Sequence, residues 1–293
     1  MNEYLIAKLG GENQSERFMY LYNKLALSVC DVAQRLIKEL ASSSFVPVDF
    51  ELKIGSDGEI PPYELDFDSG KISISGAVDR VDTAEINGRK YIRIVDYKSS
   101  GKSFRLSDVL QGLNMQMLIY LFTLWQNGKE KYGEVTPAGV LYYAAKSPQI
   151  SAERGEDREK LNDKIQKSCR SDGIVLSDCD VVLAMDKEAS GMYVPVDFKK
   201  GKMSGSLISL RQLELLKNKA DEILVDMAEE LHSGNIPASP VCGSNYKTVC
   251  DYCDYKAVCG YEENIPVYEL DDMKLDDALE MLEKGAEADE VDC

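Results

Sequence analysis

Histidine is nearly absent from this chain. His232 is the single histidine among 293 residues. Catalytic Ser-His and Cys-His pairs, and zinc sites built from several histidines, all depend on the imidazole side chain. The composition therefore disfavours these three kinds of site.

Long apolar runs are also lacking. No run approaches the ~20 apolar residues that a membrane-spanning helix needs. The first residues, "MNEYLIAKLGG", have neither the charged start nor the apolar stretch of a signal peptide. We therefore expect a cytoplasmic protein.

Basic residues are outnumbered, with 34 Lys and Arg against 51 Asp and Glu and a net charge of −17. Such a balance disfavours a protein that coats nucleic acid through general positive charge. The acidity is concentrated, because residues 262–293 carry 13 acids and 2 bases and a net charge of −11. This composition predicts an acidic C-terminal tail that is solvated or faces a partner.

Two periodicities predict the fold class. Helical spacing predicts helices over 15–41, 106–126 and 206–232, with Ser107 and Ser209 near the starts of the last two. Period-two alternation in "KISISGAVDRVDTAEI" and "KYIRIVDYKS" predicts two strands, joined by a hairpin turn at "NG". The order of elements indicates an α/β protein with a mixed sheet.

The stretch "IVDYKSSGKSF", residues 94–104, ends like a nucleotide-binding P-loop. That motif, GxxxxGK[ST], requires a glycine five residues before Gly101, and Asp96 stands there. A carboxylate at that place would repel phosphate oxygens. We therefore reject the nucleotide-binding interpretation of this loop.

Asp96 and Lys98 are two residues apart on a predicted strand, so both side chains emerge on one face. The neighbouring strand contributes Asp79 and Asp82, which are three apart and should point to opposite faces. We expect one of the two to join Asp96. Asp79 and Asp96 would then form a hard-oxygen site for Mg²⁺ or Mn²⁺.

A metal held there can neutralise a scissile phosphate and activate water, while Lys98 orients the water or stabilises developing charge. The alternative is that Asp79, Arg80, Asp82 and Lys98 form surface cross-strand ion pairs of little energetic value. Asp96 favours the first interpretation, because an unpaired acid at the end of an apolar strand is costly.

Taken together, "GAVDRVD", "RIVDYKSS" and "QMLIY" resemble the motifs of RecB-family PD-(D/E)xK nucleases. The likeness is closest to the C-terminal nuclease domain of AddB, one of the two proteins that form AddAB helicase–nucleases. It implies a restriction-endonuclease-like core, with a central mixed β-sheet flanked by helices. It also implies DNA and a helicase or AddA-like subunit as partners.

The resemblance also assigns roles to residues. It implies that Asp79, Asp96 and the main chain of Tyr97 are metal ligands, and that Lys98 is the catalytic lysine. Gln116 and Tyr120 lie four apart on one helix face and would shape the site or contact DNA.

Cysteines at the C-terminal end extend the resemblance. "CDYCDYKAVC" places Cys250, Cys253 and Cys259 at the CxxC-x5-C spacing that supplies three ligands of a [4Fe–4S] cluster in such nucleases. A fourth ligand is not evident, so the cluster would be incomplete in this chain. Bound zinc or a metal-free thiol cluster remains open.

We therefore predict a nuclease for single-stranded DNA or DNA ends, exonuclease-like, from a helicase–nuclease of double-strand-break repair and recombination. The alternatives are an inactive nuclease-fold module that binds DNA ends or a partner, and a RecB-like nuclease of CRISPR adaptation. The predicted divisions are an N-terminal helical segment over 1–45, a nuclease core over 46–240 with a charged excursion near 151–190, a cysteine cluster over 241–262 and an acidic tail over 263–293.

Overall fold

The computed structural model of the chain describes residues 2–9, 11, 15–98, 104–145, 150–153, 155–188, 191–199, 201–242, 250, 253–259 and 267–291. The loop of residues 99–103, which follows Lys98, lies outside the described residues. No helix within the described ranges is long and apolar enough to cross a membrane.

Helices and strands alternate irregularly along the chain. The helices are α1 (Asn2–Leu9), α2 (Glu16–Ser42), α3 (Leu106–Leu110), α4 (Gln116–Asn127), α5 (Lys129–Tyr132), α6 (Arg158–Ser168), α7 (Cys179–Met185), α8 (Leu210–Ser233), α9 (Lys256–Cys259) and α10 (Leu275–Val291). The strands are β1 (Val46–Ile54), β2 (Tyr63–Phe67), β3 (Gly70–Ile74), β4 (Gly76–Ile86), β5 (Arg89–Lys98), β6 (Thr136–Ala144), β7 (Asp172–Leu176), β8 (Val196–Lys199), β9 (Lys202–Gly205), β10 (Leu207–Ile208), β11 (Val241–Cys242) and β12 (Tyr268–Glu269).

A six-stranded sheet in the order β1-β4-β5-β6-β7-β10 forms the centre of the fold. Strand β4 is antiparallel to both β1 and β5, β5 is parallel to β6, β6 is antiparallel to β7, and β7 is parallel to β10. The predicted mixed sheet flanked by helices is therefore confirmed. Asn87 and Gly88 join β4 to β5 with positive φ angles of 52° and 75°, as a hairpin turn requires.

Each face of the sheet covers a separate apolar core. The first core, on the side of α4, α8 and α10, includes Ile92, Ile94, Leu118, Leu216 and Leu282. The second core, on the side of α7 and the C-terminal half of α2, includes Phe45, Val95, Leu141, Val182 and Met185. Successive residues of β5 alternate between the two cores, as side chains on a strand must.

Helix α8 begins at Leu210 rather than at the predicted residue 206, because Leu207–Ile208 form β10. Ser209 is its N-cap, and its hydroxyl accepts a hydrogen bond from the Gln212 N–H at 3.2 Å. The Gln212 side chain accepts in return from the Ser209 N–H at 2.8 Å, which completes a capping box.

The prediction of one helix over residues 106–126 is wrong. Gly112 and Asn114 adopt positive φ angles of 78° and 53°, so the chain turns between α3 and α4. Asn114 stabilises the turn by donating to the Asp108 carboxylate at 2.8 Å. Ser107 is not an N-cap either, because Arg105 occupies that place and the Ser107 hydroxyl is buried.

The acidic C-terminal segment is packed against the fold. Helix α10 inserts Ala278, Leu279 and Leu282 into the first core, and Gln212 of α8 donates to the Glu283 carboxylate at 2.9 Å. The composition alone predicts a solvated or partner-facing tail, but one face of this helix belongs to the interior.

Candidate active site

The ends of β4 and β5 bring two acidic residues together. The register of these strands runs from Ile86↔Arg89 to Arg80↔Val95, so the next residues along are Asp79 and Asp96. At this point the Tyr97 N–H donates to Asp79 Oδ2 at 2.9 Å. The Asp79 side chain is thereby held beside the segment of β5 that carries Asp96.

Asp96 is nearly buried, with 7% of its surface exposed. Lys98 Nζ lies 2.7 Å from Asp96 Oδ2, but no hydrogen-bond donor is aligned with this oxygen among the described residues. The contact is therefore an ion pair that leaves the oxygen open to a further partner. Lys98 Nζ also lies 5.6 Å from the centre of the Tyr142 ring.

Helix α4 contributes a polar pair above the same strands. Gln116 Nε2 donates to the Tyr120 hydroxyl at 3.1 Å. A methyl group at Gly76 would meet that hydroxyl at 2.1 Å, so Tyr120 packs directly on the first residue of β4. The described hydrogen bonds do not join Gln116 or Tyr120 to Asp79 or Asp96.

The opposite face of the sheet holds four buried charges. Asp82 and Arg80 of β4, Arg93 of β5 and Glu39 of α2 each expose 2% of their side chain or less. Arg93 Nη2 lies 2.9 Å from Asp82 Oδ2 and 3.2 Å from Glu39 Oε1. Arg80 Nε lies 2.8 Å from Asp82 Oδ1 without the alignment of a hydrogen bond. We call these four residues the buried ion cluster.

Charge in the buried ion cluster is balanced, with two guanidinium groups against two carboxylates. Burial alone would lower the pKa of Arg80, but the carboxylates of Asp82 and Glu39 more than offset burial and raise it. Arg80 Nη1 donates to the Tyr97 hydroxyl at 2.9 Å. Asp82 is therefore separated from Asp79 and Asp96 by the sheet, and Tyr97 contacts both groups.

Asp96 of β5, Tyr142 of β6 and Asp172 of β7 lie in register across the sheet. The sequence analysis did not identify the last two as site residues. Tyr142 of β6 pairs with Asp96 on one side and with Asp172 of β7 on the other. Burial, with the charges of Asp96 and Asp172, raises the pKa of Tyr142 to about 12. Asp172 accepts from the Phe104 N–H at 2.8 Å, where the described chain resumes after residues 99–103. The apolar run "GIVL" after Asp172 was the available signal for β7.

The donor set of Asp79 and Asp96 fits a hard divalent cation. Mg²⁺ keeps several waters and is commonly bound through one or two carboxylates, so two acidic residues suffice. Within the described ranges no group of three or more His, Cys, Asp and Glu comes together as a metal site. A main-chain contribution from Tyr97 stays a prediction.

The cysteines do not form a ligand set among the described residues. Cys253 and Cys259 are exposed and Cys250 is half-buried, and all three are free thiols. The described residues therefore do not support the predicted iron–sulfur or zinc cluster, which stays a prediction.

Comparison with known proteins gives a family and relatives. The profile of the PD-(D/E)XK nuclease superfamily matches residues 7–260. The B subunit of the ATP-dependent helicase/deoxyribonuclease of Ruminiclostridium cellulolyticum is 35% identical over 262 residues, which are 87% of this chain and 22% of that protein. The protein of the same name from Clostridioides difficile is 34% identical over 278 residues, 89% of this chain and 24% of that protein. The chain thus spans about a quarter of the length of the curated relatives it matches.

Proposed function

The chain belongs to the PD-(D/E)XK nuclease superfamily, and from this membership we propose that it is a divalent-metal-dependent deoxyribonuclease that hydrolyses phosphodiester bonds. One observation carries the proposal. The Tyr97 N–H holds the Asp79 carboxylate beside the Asp96–Lys98 ion pair at the end of two adjacent strands. The resemblance of these motifs to RecB-family nucleases supports the same assignment.

In this proposal Asp79 and Asp96 hold Mg²⁺ or Mn²⁺. When bound there, the ion would neutralise charge at the phosphate and would help to activate water for attack. Lys98 orients the attacking water, or donates to the phosphate oxygen as negative charge develops there. Water oxygen forms the new bond to phosphorus, and the bond to one deoxyribose oxygen breaks. Gln116 and Tyr120 keep α4 fixed against β4 and help to shape the substrate path.

The relatives suggest the setting. Their name describes the B subunit of an ATP-dependent helicase/deoxyribonuclease. We propose that this chain cuts single-stranded DNA or DNA ends delivered by a helicase such as an AddA-like subunit, in the cytoplasm, during double-strand-break repair and recombination. These relatives favour this setting over a nuclease of CRISPR adaptation.

Cleavage of end-labelled DNA with Mg²⁺ or Mn²⁺ tests the assignment. We expect Asp96→Asn and Lys98→Ala to reduce the rate by roughly 100-fold or more, since each removes a group that acts on developing charge. Asp68→Asn, an exposed acid in the β2–β3 turn, is the matched control and should cleave like the parent. Cleavage by Asp96→Asn and Lys98→Ala at the parental rate would refute the mechanism.

The form of the DNA substrate, linear or circular, distinguishes exonuclease-like from endonuclease-like action. A linear single strand that is shortened from its end, while a circular single strand resists, would identify exonuclease-like action. Residues 1–261 carry a net charge of −6, the difference between −17 for the chain and −11 for residues 262–293, and this acidity favours the second candidate, a non-catalytic module. That candidate predicts binding of DNA ends in EDTA and no cleavage with either metal. Iron and zinc analysis of anaerobically purified protein tests the cysteine prediction separately.

A further inference from the structure

Two aromatic rings lie beside the candidate active site. The rings of Phe104 and Tyr142 are stacked, with 6.2 Å between their centres and 29° between their planes. Tyr142 belongs to β6 and is paired in register with Asp96 of β5. Lys98 Nζ lies over the Tyr142 ring, 5.6 Å from its centre. Phe104 and Tyr142, which we call the aromatic pair, are therefore next to the Asp96–Lys98 ion pair.

A backbone contact fixes the position of Phe104. Its N–H donates to Asp172 Oδ2 at 2.8 Å, and Asp172 is paired with Tyr142 in the register of β6 and β7. The other carboxylate oxygen of Asp172 accepts from the Gly173 N–H at 2.7 Å. The Phe104 ring is thus held against the sheet before any ligand arrives. A pre-organised surface of this kind loses little conformational freedom on binding.

The aromatic pair is half-buried rather than enclosed. Both rings pack at the border of the first core. Tyr142 is contacted by Phe104 and by Lys98, whereas Phe104 makes no ring contact other than the one with Tyr142 among the described residues. Phe104 is therefore the member of the pair whose ring is available to a ligand.

The cations that flank the aromatic pair are engaged by carboxylates. Lys98 Nζ lies 2.7 Å from Asp96, and Arg105 lies 3.3 Å from Asp108 and 3.4 Å from Asp272. With a net charge of −17, the chain also attracts phosphates weakly through its overall charge. Stacking of a base on an aromatic ring needs no positive charge and is open to every base. Contact with bases therefore suits this site better than contact with phosphates alone.

We propose that Phe104 stacks on one base of single-stranded DNA, with Tyr142 stacked against its ring. The inference rests on the proposed function, because it takes as ligand the strand whose phosphate reaches Asp79 and Asp96. Pairing with β5 places β6 about 4.8 Å from the strand that carries Asp96. The stacked base therefore belongs to a nucleotide adjacent to the scissile phosphate. A base in a duplex must first be unpaired and unstacked at a cost in free energy, so the aromatic pair favours single strands.

Fluorescence anisotropy with a dye-labelled oligothymidylate of about 16 nucleotides tests the proposal. EDTA prevents metal-dependent cleavage during the titration. We expect Phe104→Leu to weaken binding by about tenfold, since one base–ring stack is lost while an apolar side chain still packs on the first core. Phe104→Trp keeps an aromatic ring and should bind as tightly as the parent or more tightly. A purely structural role predicts the opposite order, in which leucine is tolerated and the larger tryptophan is not.

Phe67→Leu is the matched control for these titrations. Phe67 is likewise half-buried and contacts the ring of His232, but it belongs to β2. This variant should bind the oligothymidylate like the parent. Parental binding by Phe104→Leu, or a parent that does not bind the oligothymidylate, would overturn the proposal.

An abasic strand of the same length separates base stacking from phosphate contact. We expect removal of the bases to weaken binding to the parent about tenfold more than binding to Phe104→Leu, because the variant has already lost the ring. Equal losses in the two proteins would show that Phe104 does not contact a base, and the proposal would fail.

Cleavage with Mg²⁺ distinguishes failure of this inference from failure of the proposed function. We expect Phe104→Leu to raise KM for single-stranded DNA about tenfold and to change kcat less, since stacking acts mainly when the substrate binds. A parent that cleaves DNA, with a parental KM in Phe104→Leu, would remove the aromatic pair from the site and leave the nuclease assignment intact. A parent that shows the expected binding pattern without cleavage would refute the nuclease assignment and leave the stacking contact in place.

Discussion

Tyr97 connects the two faces of the sheet through different atoms. Its N–H donates to the Asp79 carboxylate on the face of the candidate active site. Its hydroxyl accepts from Arg80, a member of the buried ion cluster on the other face. Burial, offset in part by the charge of Arg80, raises the pKa of the Tyr97 hydroxyl. The position of Asp79 therefore depends, through Tyr97, on the buried ion cluster, which lies on the opposite face of the sheet from the candidate active site.

The substitution Asp82→Asn tests how much the buried ion cluster contributes to the free energy of unfolding. Breaking a buried ion pair by neutralising one partner typically costs about 3–5 kcal/mol, because the remaining charge is left uncompensated. We expect a loss of that size in the free energy of unfolding, measured in urea. Glu64→Gln is the matched control, since Glu64 and Lys71 form an exposed pair. A similar loss in both variants would contradict a special role for the buried residues.

Gly76→Ala tests the contact between α4 and β4. The added methyl group would meet the Tyr120 hydroxyl at 2.1 Å, so Tyr120 and its bond from Gln116 must shift. Overpacking of this kind costs about 1–3 kcal/mol, and we also expect slower DNA cleavage. Gly285→Ala is the control, because a methyl group there meets no atom within 4 Å and alanine favours the helix. Parental stability and cleavage in Gly76→Ala would contradict the contact.

Some residues of the candidate site were predictable because they are close in sequence. Asp96 and Lys98 follow from strand alternation, and Asp79 from a hairpin whose turn is evident as "NG". Tyr142, Asp172 and Glu39 were not, since their neighbours are set by pairing or packing between distant segments. These three residues can be placed near the site only when the strand pairing and the packing of α2 are known.

At the scale of elements, the sequence predicts the two long helices better than the short ones. Helices α2 and α8 have uninterrupted helical periodicity, and α8 also has a recognisable capping box. The break between α3 and α4 depends on Gly112 and Asn114, two residues that tolerate positive φ without requiring it. Strand β7 is only five residues long and both of its faces are buried, since Ile174 belongs to the first core and Val175 to the second. Its apolar run therefore carries no alternation.

Two substitutions, Ser209→Ala and Ser107→Ala, compare an N-cap serine with a serine that the sequence predicts as an N-cap but that does not cap its helix. Ser209 accepts from the Gln212 N–H, and removing an N-cap hydroxyl costs about 1 kcal/mol. The Ser107 hydroxyl is buried without a hydrogen-bond partner among the described residues, so its removal should be neutral or stabilising. Urea unfolding of the two variants checks the difference. A larger loss for Ser107→Ala would restore a capping role for that residue.

At the scale of the whole molecule, net charge predicts a solvated C-terminal segment, whereas the burial of its apolar residues shows that it is packed against the core. Its net charge of −11 is typical of a solvated tail. The spacing of Ala278, Leu279 and Leu282 is that of one helix face, and this face completes the first core beside α8 and α3. Asp276, Asp277 and Glu280 are exposed, so these acids lie on the face of α10 that points away from the core.

The substitution Leu279→Ala distinguishes a solvated C-terminal segment from one that is packed in the first core. Leu279 is 7% exposed, whereas Met281, two residues later on the same helix, is 58% exposed. Truncating a buried leucine costs about 2–5 kcal/mol, through lost burial and the cavity left behind. We expect Leu279→Ala to lower the free energy of unfolding by that amount, and Met281→Ala to change it little. Equal and small effects in urea unfolding would mean that α10 is solvated on both faces, and that the first core is complete without it.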